Sequence, residues 1–117
     1  MCPIMATVFV IGEDWTLRSL VRAELREHGI EALGMETLDD AARTIAAGAM
    51  PSAVVLDLVS LRGDASTLEP LSKRVPAVVV TSPGSSAPAW AAAVLSRPVT
   101  VGDVVARVEM ILKRLAA

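Results

Sequence analysis

Tyrosine is absent from the 117 residues, phenylalanine occurs once and tryptophan twice, so few rings are available to stack a flavin or a base. Cysteine and histidine occur once each, as Cys2 and His28. That excludes an internal disulfide framework, every multi-cysteine zinc pattern and an imidazole cluster for a metal. A reducing, cytoplasmic compartment is the expectation. Long apolar runs are missing as well: the segment from Ala89 to Leu95 is about seven residues, against the roughly 20 that span a bilayer. The N-terminus lacks the basic and long apolar regions of a signal peptide. No membrane insertion is expected. Nor is there an excess of positive charge, since 11 Lys and Arg stand against 13 Asp and Glu for a net charge of -2. This argues against direct binding to nucleic acid or anionic lipid. What is present is apolar: 53% of residues are hydrophobic and 21% charged. Such a chain can offset its ordering entropy, and a single domain over 1–117 is expected.

The run Thr7-Val8-Phe9-Val10-Ile11 is apolar on both faces, as a buried parallel strand is. Gly12-Glu13-Asp14 ends it. Leu17, Leu20, Val21 and Leu25 then recur at helical spacing from Trp15 to His28, with Asp14 as N-cap and Gly29 as stop. Residues 30–35 read as a second strand. Thr37 caps a helix over 38–47 that ends at Gly48. Residues 53–58 form a third strand, whose charge, Asp57, lies near its carboxyl end. Arg62 to Ser66 is turn-like, and Ser66 with Glu69 resembles a capping box for a short helix reaching about Arg74, kept irregular by Pro70. Residues 76–81 are a fourth strand, followed by the loop from Ser82 to Ser86. The stretch Pro88-Ala89-Trp90-Ala91-Ala92 allows one to two helical turns before a fifth strand at 94–96. Thr100 caps the last helix, with an apolar stripe from Val101 to Leu115.

Strands alternating with helices imply a parallel sheet covered on both faces, with right-handed crossovers. In an open, doubly wound sheet the function gathers at the carboxyl ends of the strands. Those ends carry Glu13 and Asp14, Asp57, Thr81 and Ser82, and Ser96, Arg97 and Pro98. Carboxylates, hydroxyls and one permanent cation in a shared pocket suit a hard divalent cation and a phosphoryl group. Two carboxylates about 5 Å apart repel by roughly 3 kcal/mol at an effective dielectric of about 20, and a magnesium ion relieves that.

In the order of these motifs, the whole chain resembles a response-regulator receiver domain of the chemotaxis-regulator type. The matching residues are the acidic turn Gly12-Glu13-Asp14, Asp57 after Val54-Val55-Leu56, Thr81-Ser82, and Arg97-Pro98. The resemblance implies a flavodoxin-like α/β fold, five parallel strands in the order 2-1-3-4-5 with helices on both faces. It also implies that Asp57 accepts a phosphoryl group from a histidine kinase or phosphotransfer protein. Magnesium would then be held by Glu13, Asp57 and the backbone carbonyl of Val59, with Asp14 as a partial substitute, while Thr81 and the strand-five cation bond the phosphoryl oxygens. A carboxylate is a competent acceptor, and a loose transition state needs mainly positioning and charge neutralisation. Such a chain is no enzyme beyond phosphoryl acceptance and self-dephosphorylation. With no output domain expected in this length, it would signal through contacts with a downstream protein or a homodimer.

Four departures point to a degenerate receiver. Gly12 stands where the family has the first of two adjacent acids, which removes a negative charge. Arg97 stands where the family has lysine, and a planar, never-neutral guanidinium can pair with unphosphorylated Asp57 and hold the site in one state. The inward-turning aromatic of strand five is missing, with Val94 nearest its position. Thr81 and Arg97 are only 97 − 81 = 16 positions apart, a few fewer than usual, so the fourth helix is expected to be shortened.

Plainer roles compete for the same residues. Asp14 serves as a helix cap, Thr81 as a strand end, Arg97 as a structural partner of Asp57, His28 as a complement to a helix dipole, and Trp15 and Trp90 as packing residues. The face of Arg18, Arg22 and Arg26 is either simply solvated or meets a kinase. Two rival functions follow: a phosphorylation-independent docking or dimerisation module, and a small phosphate- or flavin-binding domain built on the Ser82–Ser86 loop.

Overall fold

The computed structural model describes residues 6–61 and 64–116; Cys2 and the Arg62-Gly63 portion of the expected turn lie outside the described residues. Five parallel strands form one sheet in the order β2-β1-β3-β4-β5: β1 Thr7–Ile11, β2 Glu31–Met35, β3 Ala53–Asp57, β4 Ala77–Thr81 and β5 Ala93–Ser96. The helices are α1 Trp15–Glu27, α2 Leu38–Ala46, α3 Glu69–Ser72, which continues a 3-10 turn over Ala65–Leu68, and α4 Val101–Ala116. This is the expected architecture, with strand and helix ends shifted by a residue or so.

Alternation along the strands sorts the apolar side chains into two cores. Val8 and Val10 of β1, Val55 of β3, and Val78 and Val80 of β4 face one way and pack against Val21 and Leu25 of α1 and Val104, Val105 and Val108 of α4. Phe9, Ile11, Val54, Leu56 and Val79 face the other way, against Leu38 and Ala41 of α2, Leu68 and Val75. Helix starts are fixed by side chains that satisfy the first free N–H groups. The Asp14 carboxylate accepts from the amides of Thr16 and Leu17, and Thr37 accepts from Asp40. Thr100 and Asp103 cap each other reciprocally at 3.0 and 3.2 Å.

Three expectations are corrected. No shortened fourth helix covers the sheet between β4 and β5: residues 82–92 form a loop with two isolated turns, the Ser85 amide bonding the Ser82 carbonyl and the Ala91 amide the Pro88 carbonyl, both at 3.1 Å. Pro83, Gly84 and Pro88 in so short a connection prevent a helix from propagating. Trp90 packs on the second core instead, while Val94 of β5 is left 46% exposed on that side. Ser66 caps no helix: the 3-10 turn that leads into α3 is capped by Asp64, which accepts from the Ser66 amide at 2.9 Å, and α3 itself has no side-chain cap. Trp15 is not a packing residue, being 68% exposed.

Candidate functional site

The carboxyl ends of β1, β3, β4 and β5 bring Asp14, Asp57, Thr81 and Arg97 to one edge. Their registers explain why: Asp57 pairs with Val80 across β3 and β4, and Thr81 with Ser96 across β4 and β5. β3 thus ends one residue beyond β1 and β4 one beyond β3, while β4 and β5 end together, so the last residues gather at one edge in a short stagger. The Arg97 amide continues this ladder by donating to the Thr81 carbonyl at 2.8 Å. The peptide that follows, Arg97-Pro98, is cis.

Asp57 is 4% exposed, and a buried carboxylate must have partners. Its Oδ1 accepts from the Val59 amide at 3.2 Å, and its Oδ2 accepts from Ser60 Oγ at 2.9 Å and from Arg97 Nη2 at 2.8 Å. The same Nη2 donates to Asp14 Oδ2 at 3.2 Å. One guanidinium thus bridges two carboxylates that come from turns 43 positions apart in sequence (57 − 14 = 43). Asp14 caps α1 with its other oxygen. Partial burial raises its pKa, but the Leu17 amide, Arg97 and the Thr16 amide outweigh this and hold it below the ordinary 3.8.

The remaining expected residues are placed as follows. Thr81 is buried at the end of β4, Glu13 is exposed on the turn after β1, and Val59 presents its amide N–H to Asp57. Two partners had no sequence expectation. Ser60 reaches Asp57 because the chain turns directly after β3, with the Ser60 and Leu61 amides bonding the Asp57 carbonyl. Arg18 donates from Nη1 to the Gly12 carbonyl at 2.6 Å, pinning the turn after β1. The spacing of Ser60 three residues after Asp57 was visible in the sequence, but its meaning depended on that tight turn.

Gly12 leaves no space for the acid that the receiver pattern has there. A Cβ at this position would lie 2.9 Å from Asp57 Cβ and 3.1 Å from Ser60 Oγ. Among the described residues, no group of three or more His, Cys, Asp and Glu is arranged to hold a metal ion. Asp14 and Asp57 already share a fixed cation, so this donor set does not fit magnesium. The guanidinium takes the neutralising place that a metal would have.

No protein-family model matches the sequence, and no curated protein resembles it in sequence. Solved structures resemble it closely in shape. A candidate response regulator from Chloroflexus aurantiacus is 26% identical with a TM-score of 0.77, over 93% of this chain and 98% of that one. The receiver domain of the Francisella response regulator 1452 is 17% identical with a TM-score of 0.80, over 94% and 98%. The receiver domain of NtrX from Brucella abortus is 22% identical with a TM-score of 0.76, over 91% and 98%. The fold of this chain is that of response-regulator receiver domains.

Proposed function

We propose that this receiver-fold chain is a two-component signalling module whose acceptor position, Asp57, is held shut by Arg97, and that it works in the cytoplasm by docking to proteins without phosphorylation. The observation that carries the reading is the bridge from Arg97 Nη2 to Asp57 at 2.8 Å and to Asp14 at 3.2 Å. Both Asp57 oxygens are already engaged, Oδ2 by Arg97 and Ser60 and Oδ1 by the Val59 amide, so an incoming phosphoryl group has to displace one of these partners. A charge-assisted contact of this kind is among the stronger polar interactions of a protein. The partners would be those of receiver domains, a histidine kinase or phosphotransfer protein and a downstream target, with the surface left by the missing fourth helix reshaped.

A second reading is supported by the placement of Asp57 itself. It stands at the end of β3, beside the hydroxyl of Ser60, with Thr81 at the end of the neighbouring strand. An acceptor carboxylate with hydroxyls close by is part of what phosphoryl acceptance uses, with Arg97 then swinging from carboxylate to phosphoryl oxygens.

Intact-mass measurement after incubation with acetyl phosphate and magnesium separates the two. The wild-type protein is expected to gain no phosphoryl group. A gain in the wild type that Asp57→Asn abolishes would establish the second reading and sink the first.

A further inference from the structure

A second polar site lies outside the carboxyl edge, along the free side of β2. There α1 and α2, on opposite faces of the sheet, overhang the edge strand and enclose a cleft of about 540 Å³. From α1 come Trp15, Arg18 and Arg22, at spacings of three and four that put them in one row. From α2 comes Arg43. The guanidinium groups face two acids only, Glu36 and Asp40. Arg43 pairs with Asp40, and Arg18 lies 3.8 Å from Glu36. Arg22 spends its Nε on the Ala32 carbonyl at 3.1 Å, and its terminal nitrogens have no partner among the described residues.

The floor of the cleft is built for close approach. Ala32 turns its carbonyl outward to Arg22, so by the parity of a parallel strand the backbone groups of Gly34 point outward too. Gly34 carries no side chain to cover them, and a Cβ there would press against Arg18 Cγ and Cδ at 3.2 Å. Glycine in the middle of a strand weakens it and marks a place where another group comes close. Here that group is Arg18, whose side chain is only 12% exposed. Over this basic floor stands the indole of Trp15, 68% exposed at the rim. An exposed tryptophan beside an arginine with spare donors is a poor way to cover an edge strand and a good way to hold a flat, anionic molecule.

We infer that this cleft binds a nucleoside phosphate, its base stacked on Trp15 and its phosphate oxygens bonded by Arg22 and Arg43. The volume lies within the range of small-ligand sites. A bidentate guanidinium matches phosphate geometry, and every base has a flat face that can stack on an indole. The inference does not rest on the reading of Asp57 and Arg97: neither residue lines the cleft, and phosphorylation of Asp57, found or not, leaves it standing.

The test is a titration with ATP, adenosine and inorganic phosphate, each in EDTA. It is read by calorimetry on the wild-type protein and by Trp15 fluorescence in a Trp90→Phe background. ATP is expected to quench Trp15 saturably. It should bind at least about tenfold tighter than adenosine or phosphate, and Arg22→Gln and Arg43→Gln should each weaken it about tenfold, the loss of one charge-assisted contact. Both variants remain folded by circular dichroism in that case, since the glutamine at 22 can still donate to Ala32. Absence of saturable binding overturns the inference, as does equal binding of adenosine or phosphate, or binding that both arginine variants leave unchanged.

Discussion

Arg97 Nη2 lies 2.8 Å from Asp57 Oδ2 and 3.2 Å from Asp14 Oδ2, so a single nitrogen joins the ends of β3 and β5 to the start of α1. Removing the guanidinium strands a carboxylate that is 4% exposed. Arg97→Ala is therefore expected to lower stability by about 1–3 kcal/mol, the cost of leaving a buried acceptor short of its partner. Urea denaturation measures it. Millimolar magnesium should restore part of the loss in the variant and leave the wild-type midpoint unmoved.

Gly12→Ala should destabilise the fold although the backbone there is ordinary. The new methyl would meet Asp57 Cβ at 2.9 Å, and such overpacking costs about 1–3 kcal/mol. A midpoint within error of the wild type would show that the turn after β1 gives way easily.

Trp90→Ala removes the side chain that packs where a helix would otherwise cover the second core. Because Trp90 is only half-buried, the loss is expected to be about 2 kcal/mol, below the range for a fully buried tryptophan. Thermal denaturation should show it, with the strand content by circular dichroism unchanged.

Stability should fall in acid partly through Asp14. Its pKa in the folded chain is below 3.8, so below that ordinary value the unfolded state takes up the proton first. The contribution is thus complete above the unfolded value and lost as the pH falls through the folded one. Asp14→Asn keeps a good helix cap and should flatten the stability profile below about pH 4. Parallel wild-type and variant curves in that window would rule out this role.

The sheet was legible from the sequence because five short apolar segments, each ended by glycine, proline or an acid, admit few arrangements. The meeting of Asp14, Asp57 and Arg97 was legible too, since in a parallel sheet the carboxyl ends of all strands lie at one edge. The β4–β5 connection was not. Alanines at 89, 91 and 92 have high helix propensity, but Pro83, Gly84 and Pro88 in so short a connection decide against a helix. Ser60 and Arg18 escaped notice because their partners, a carboxylate and a carbonyl, are set by a tight turn and a helix-to-turn crossing that no periodicity reports.

The fastening at Arg97 is mounted on the weakest rail of the sheet. β5 is an edge strand with four residues and a neighbour on one side only, and such edges open at lower free energy than the strands they border. Peeling β5 from β4, begun by breaking the bond from the Arg97 amide to Thr81, would in consequence carry the guanidinium off Asp57 as well. A binding protein that grips the exposed side of β5 would thereby act on the acidic edge without touching it.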